Sequence, residues 1–245
     1  MPDNALIETF LGPARFTLYL DAMNGHTEHA EDLYQWNTEF GGALHSQLCH
    51  VEIMVRNAID RALSDWNQNQ GYPREWTRPQ SAAPLLFAMS GDKIDEARKQ
   101  AAKSAGTREH GHARKGAAVT HDDVVSQMTF GNWCALLGTT GGRARLSKAQ
   151  DLWSQGLHQA FPHAHPTDNG RHYVATRMER LRKLRNRVSH HENLLAVNAE
   201  NRIADMLGVL RTLGPEHPSW AMRRSRIRSI AKNDPRRSPS TTVRT

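Results

Sequence analysis

A chain of 245 residues with a formal net charge of +7 is long enough to bury a proper core without disulfides, as one large helical domain or two small ones. Its two cysteines, Cys49 and Cys134, are too few for a disulfide framework and sit among apolar neighbours, which fits buried thiols in a reducing cytoplasm. The first ten residues lack the basic start and apolar run of a secretion signal, and no stretch reaches the ~18 apolar residues of a membrane span, so neither export nor a membrane partner is expected.

The position of the charge limits its meaning. From Ser219 onward Arg223, Arg224, Arg226, Arg228, Lys232, Arg236, Arg237 and Arg244 face Asp234 alone, so this tail carries the whole excess. The rest of the chain is near neutral, and the high pI by itself places no nucleic-acid site in the folded body.

In chain order, the first strong signal is a long helix over about 31–66. Leu33, Trp36, Phe40, Leu44, Leu48, Val51, Val55, Ile59 and Leu63 recur every three or four residues, the period of a helix with one buried face. Gly41 and Gly42 interrupt the pattern and predict a bend, because glycine inside a helix costs ~1 kcal/mol relative to alanine. Residues 67–79 are polar with Gly71, Pro73 and Pro79 and read as a loop. A second helix is expected from Ser90 as N-cap to about Ala105, burying Ile94, Ala97 and Ala101.

Residues 106–116 mix Gly, His, Arg and Lys without a period and read as an exposed loop. Thr120 then caps a short helix, with Asp123 as capping-box partner. The apolar FGNWCALL, from Phe130 to Leu137, and the stretch carrying Leu152, Trp153 and Leu157 read as core helices, with Trp133 and Trp153 as core rather than as base-stacking platforms. A helix over about 169–189, capped by Thr167 or Asp168, buries Val174, Met178, Leu181, Leu184 and Val188. Another buries Ile203, Met206, Leu207, Leu210 and Leu213 and ends at Gly214 and Pro215. No strand pattern and no internal repeat is present. The fold class is therefore all-α, with one domain over 1–232 and a disordered basic tail over 233–245.

The segment 180–195, RLRKLRNRVSHHENLL, carries the candidate chemistry. Arg185, Asn186 and His190 spell R-N-x-x-x-H, a short pattern that needs support from its context. RNA supplies its own nucleophile, the 2′-hydroxyl, so cleavage without metal needs one group that moves protons and another that stabilises charge on the phosphate. Histidine suits the first role with its pKa of ~6.5. Arginine suits the second, because its charged fork meets phosphate oxygens at two points. Asn186 would orient either group. Residues five apart lie ~140° apart around a straight helix, so either the helix ends near Ser189 or a second copy completes the site across a two-fold axis; both can hold.

This motif, continued by His191, Glu192 and Asn193, resembles the signature of HEPN-domain proteins of the bacterial Abi-like family, in which proline often stands where this chain has Asn193. LYQWNTEFGGAL and HVEIMVRNAIDRAL, with Glu52, Arg56 and Asn57, resemble that family's first long helix. Phe130, Gly131, Trp133 and Leu137 resemble its F-G-x-W-x-x-L-L element. The resemblance covers about residues 33–210 and implies a HEPN-like helical bundle with additional helices. It also implies a metal-independent endoribonuclease, usually a homodimer, that serves as a toxin or in abortive infection against phage. A cognate antitoxin or other defence-system partner is the further partner it suggests.

Within that expectation Arg185, His190 and Asn186 are catalytic, and Glu52, Arg56, Asn57, His191 and Glu192 are supporting. Arg182, Lys183 and Arg187 surround the motif with charge that would meet the RNA backbone. Glu52 and Arg56, four apart, equally suit a surface ion pair worth ~0.3 kcal/mol. The competing readings are a helical dimer that binds RNA or protein without cutting, and a metal-dependent hydrolase built on His110, His112, His158, His163, His165 and His172. These histidines lack metal-binding helical spacing, so no metal and no cofactor is expected.

Overall fold

The computed structural model describes residues 4–237, with eleven α-helices and no strand among them. The middle of the fold is α3 (Thr27–Asn69), a helix of 43 residues. Its helical hydrogen bonding continues through Gly41 and Gly42. Leu33, Leu44, Val51, Val55, Ile59 and Leu63 on its buried stripe are fully enclosed, as the apolar period predicts. Truncating one such leucine to alanine costs ~2–5 kcal/mol, because it removes transfer energy and leaves a cavity.

The other helices pack around this mast. Before it come α1 (Asn4–Leu11) and α2 (Pro13–Ala22), which periodicity did not reveal, since α2 buries only Phe16 and Tyr19. After it, α4 (Pro84–Gly106) starts six residues earlier than its expected cap. Pro84 suits the first turn, where a missing N–H costs nothing. Ser90 is buried inside the helix and donates its hydroxyl to the Leu86 carbonyl at 2.9 Å.

Short helices α5 (His121–Gln127) and α6 (Phe130–Leu136) each begin with a capping box, on Thr120 with Asp123 and on Thr129 with Asn132. Then α7 (Gly142–Gln155) leads through a 3-10 turn, Leu157–Ala160, to α8 (Asp168–Ser189). The buried Arg171 on α8 donates to the Leu137 carbonyl at 2.6 Å, which fixes the start of α8 against the end of α6. Trp133 and Trp153 are fully buried, as read from sequence.

The chain closes with α9 (Ala199–Leu213), ended by Gly214, then α10 (Glu216–Met222) and α11 (Ile227–Lys232). The last two were hidden in what read as a basic tail. Buried Ile227 and Ile230 seat α11 on α3, and Trp36 donates its indole N–H to the Ile230 carbonyl at 2.7 Å. Residues 233–237, assigned to the disordered tail by composition, instead include a 3-10 turn with Asp234 buried and Arg236 bonded to the Leu195 carbonyl at 2.9 Å. The rest of that expected tail, 238–245, lies outside the described residues. No helix of the described residues is long and apolar enough to cross a membrane.

Candidate functional site

The helix carrying the motif, α8, ends at Ser189, one of the two arrangements that the spacing of the motif left open, and His190 is its C-cap. His191 takes the left-handed conformation, with φ of 52°. Its N–H reaches the Val188 carbonyl at 3.2 Å, and the Glu192 N–H reaches Arg187 at 3.0 Å. These two bonds form a Schellman turn. It is normally built on glycine, and a side chain there carries a cost on the order of 1 kcal/mol. Two further ties hold the turn. Arg187 caps the Asn193 carbonyl, and the buried Asn37 of α3 accepts the Leu194 N–H at 2.7 Å. Leu194 closes over Gly41, where an added Cβ would sit 3.4 Å from its Cδ1.

Opposite this turn, α3 presents His45, Cys49, Glu52 and Arg56, spaced four, three and four residues apart and so on one helix face. The Glu52 carboxylate lies 3.8 Å from Nε of Arg185 on α8, with both side chains partly exposed. That separation is an ion pair without a hydrogen bond, and no Arg185 N–H finds an acceptor among the described residues. The guanidinium is thus steered by charge while its donors stay uncommitted.

Burial pushes the Glu52 carboxyl above its ordinary range. Arg185 first, then Arg56, His45 and the Phe130 backbone amide at the start of α6 pull it back. Burial likewise pushes the Cys49 thiol up, aided by Glu52 and opposed by Arg185. His45 sits 3.6 Å from the Cys49 sulfur. A partly buried carboxylate and an uncommitted arginine meet where α3, α6 and α8 come together, with His45 close enough to act on the carboxylate. A carboxylate perturbed by burial and by a specific charge partner, beside a cleft, is a functional-site candidate.

The residues singled out from sequence fall into three groups. Arg185 and Glu52 are brought together, with Arg56 near enough to act on Glu52 while its Nε donates to Asn57 at 3.2 Å. Asn186 and the exposed His190 keep side chains without hydrogen-bond partners among the described residues, and no bond or ion pair joins either to Arg185. Arg182 and Arg187 are already engaged. Arg182 makes a two-point contact with Glu179 at 2.7 Å, which holds that carboxyl low, while Arg187 pairs with Glu192 at 3.4 Å. Lys183 is mostly exposed, 3.9 Å from Glu179.

His45 was not singled out from sequence, and Cys49 was read only as a buried thiol. Their signal was present in the stripe they share with Glu52 and Arg56. Cys134 matches the expected buried thiol, whereas Cys49 is only half-buried. Of the histidines weighed for metal, His158 bonds the Trp153 carbonyl at 2.8 Å and His165 bonds Thr167 at 2.7 Å. Among the described residues no three metal-ligating side chains gather.

Beside the motif lies a cleft of about 730 Å³ between α2, α3 and the turn after α8, with His45, Ser189 and His191 on its wall.

Comparison with known proteins agrees with the resemblance read from the motif. No curated protein matches the chain. No solved structure matches it either. The model of the Abi-like protein family matches residues 16–196, about three-quarters of the chain. That span runs from α2 through the turn after α8 and contains the whole α3–α6–α8 junction. The chain belongs to the Abi-like protein family.

Proposed function

We propose that this protein is a cytoplasmic, metal-independent endoribonuclease of the HEPN type, acting in abortive infection or as a toxin. The observation that carries the reading is Arg185, steered by Glu52 at 3.8 Å yet donating to no acceptor among the described residues. A permanently charged fork with free donors is what a phosphate undergoing attack requires.

His190, exposed at the C-cap, moves the proton of the 2′-hydroxyl or of the leaving oxygen, and Asn186 orients the phosphate. Glu52 holds the guanidinium by charge, Arg56 acts on Glu52 from the same helix face, and Asn57 fixes Arg56. His191 and Glu192 shape the turn that presents His190. Of the three flanking cations, Lys183 has the loosest tie and meets the RNA backbone most readily, with Arg182 and Arg187 contributing charge from fixed positions.

A homodimer is part of this reading. No hydrogen bond or ion pair joins Arg185 to His190 among the described residues, and α3 and α10 expose the apolar side chains of Ile53 and Trp220, with His50 edge-on to Trp220 at 5.3 Å. A second copy seated there would bring a second motif toward the first. An antitoxin or defence-system partner would act by covering the same face.

Purified wild type and His190→Ala, compared on a mixed RNA in excess EDTA, test the reading. Wild type should cut, and the variant should lose ~100-fold or more of the rate, the usual contribution of a positioned acid or base, while keeping its helical circular dichroism. Equal rates, or no cutting without added metal, would remove it.

A further inference from the structure

Gly42 gives the first indication of what the 730 Å³ cleft holds. In a helix of 43 residues, glycine weakens the backbone and needs a reason. Gly41 has one, the close approach of Leu194. Gly42 has none among the described residues: a Cβ built there meets nothing within 4 Å. It lines the cleft, and the bare backbone keeps that wall flat and open.

Asn37, one helical turn earlier, gives the second indication. It lines the cleft and is only 7% exposed. Its Oδ1 must be the acceptor for the Leu194 N–H at 2.7 Å, which fixes which way the amide points. The amide nitrogen therefore remains, with two donors and no partner among the described residues. A donor pair held in one orientation on the cleft wall suits an acceptor such as a carbonyl oxygen. Tyr34 supplies a ring on the same wall, held edge-to-face by the buried Tyr19 at 5.4 Å between centroids. Arg15 brings positive charge to the cleft, His45 adds an imidazole that can hydrogen-bond, and His191 joins the cleft to the motif.

We propose that this cleft is a nucleobase subsite that seats one RNA nucleotide flanking the cut. The base lies against Tyr34 and Gly42 and offers a ring carbonyl to the Asn37 amide. The phosphate stays with Arg15 and His45, since burying its charge at the depth of Asn37 would leave it unpaired. The volume suits a small-molecule pocket, whose usual range is roughly 300–1,000 Å³. This subsite rests on the ribonuclease reading for its choice of ligand but not for its test.

The test is equilibrium binding of a fluorescein-labelled, mixed-sequence 2′-fluoro RNA, which lacks the nucleophile and stays whole. Gly42→Leu fills the cleft with a better helix former and should melt no lower than wild type while binding ~10-fold more weakly. Tyr34→Leu removes the ring and should weaken binding to a similar degree. Asn37→Asp keeps the acceptor for Leu194 but loses both donors, and should flatten any preference among single-base variants of the strand.

If Gly42→Leu and Tyr34→Leu fold and bind like wild type, or wild type fails to bind the strand, the subsite is refuted. Wild type that binds through the cleft yet never cuts RNA retains the subsite and removes the ribonuclease. Cutting that both variants perform with unchanged KM does the reverse.

Discussion

The corner between α4 and α5 and the wall between α3 and α8 both gather charged side chains, but they treat them in opposite ways. At the corner, Asp123 receives Arg114 through two bonds of 2.6 Å, Arg108 at 3.0 Å and the Thr120 N–H at 2.8 Å. Nearby, His121 bridges Asp60 at 3.0 Å and the fully buried Thr77 at 2.8 Å, and Asp60 also accepts the Trp76 indole N–H. At the wall, Arg185 sees Glu52 without a hydrogen bond, and Asn186, His190 and the Asn37 nitrogen have no partner among the described residues. Satisfied groups hold a fold together, while unsatisfied ones beside a cleft keep bonding capacity for something outside it. The wall, not the corner, is where function is expected.

The largest effect that would sharpen this contrast comes from Arg185→Lys. The charge beside Glu52 survives, so the melting free energy should move by no more than ~0.5 kcal/mol. The planar fork is lost, and cleavage should fall by ~10²-fold or more. Retained activity in a kinetic assay would make Arg185 a mere counter-charge for Glu52.

Asp123→Asn should show the opposite pattern. It strips two arginines of their common partner and weakens the α5 cap, at a cost of ~2–3 kcal/mol in denaturant unfolding. Cleavage per folded molecule should stay at the wild-type value. A parallel loss of activity far below the melting temperature would mean that the corner also serves the site.

Acid should separate the two regions more finely. Arg114 first, then the Thr120 amide, holds the Asp123 carboxyl well below its usual range. A depressed folded pKa contributes stability above the unfolded value of ~3.9 that is lost as pH falls through the folded one. The gap between wild type and Asp123→Asn should therefore close on acidification. Glu52 is raised by burial, so its contribution is fullest below the unfolded value of ~4.3 and is lost as pH rises through the folded one. Glu52→Gln should be as stable as wild type or slightly more so at neutral pH, and the difference should vanish in acid. Melting curves at several pH values read both signs at once.

How legible each region was follows from the range of its interactions. The stripe from Leu33 to Leu63 and the Gly214 stop are local patterns, and α3 and the end of α9 follow from them. The capping box at Thr120 and Asp123 is equally local. By contrast α2, α10 and α11 bury two residues or fewer apiece among their described side chains, too few to show a period. Their helicity comes from packing against α3 and α9. In the site, Arg185, Asn186 and His190 follow from the motif, and Glu52 from the resemblance of the first long helix. His45 and Asn37 gain meaning only when the turn after α8 folds back on α3, across 157 residues of sequence for the Asn37 bond. The His121–Asp60 bridge spans 61 residues and was unreadable for the same reason.

The most direct measurement of the central claim is the chemistry of the cut ends. If the 2′-hydroxyl attacks and His190 and Arg185 carry the proton and the charge, the fragments must end in a 2′,3′-cyclic phosphate, or its hydrolysed monophosphate, and a 5′-hydroxyl. Cutting should continue in excess EDTA, and a strand with a single 2′-deoxy sugar at the cut should bind and remain whole. A 5′-phosphate on the product, or cleavage of the deoxy strand, would contradict the account.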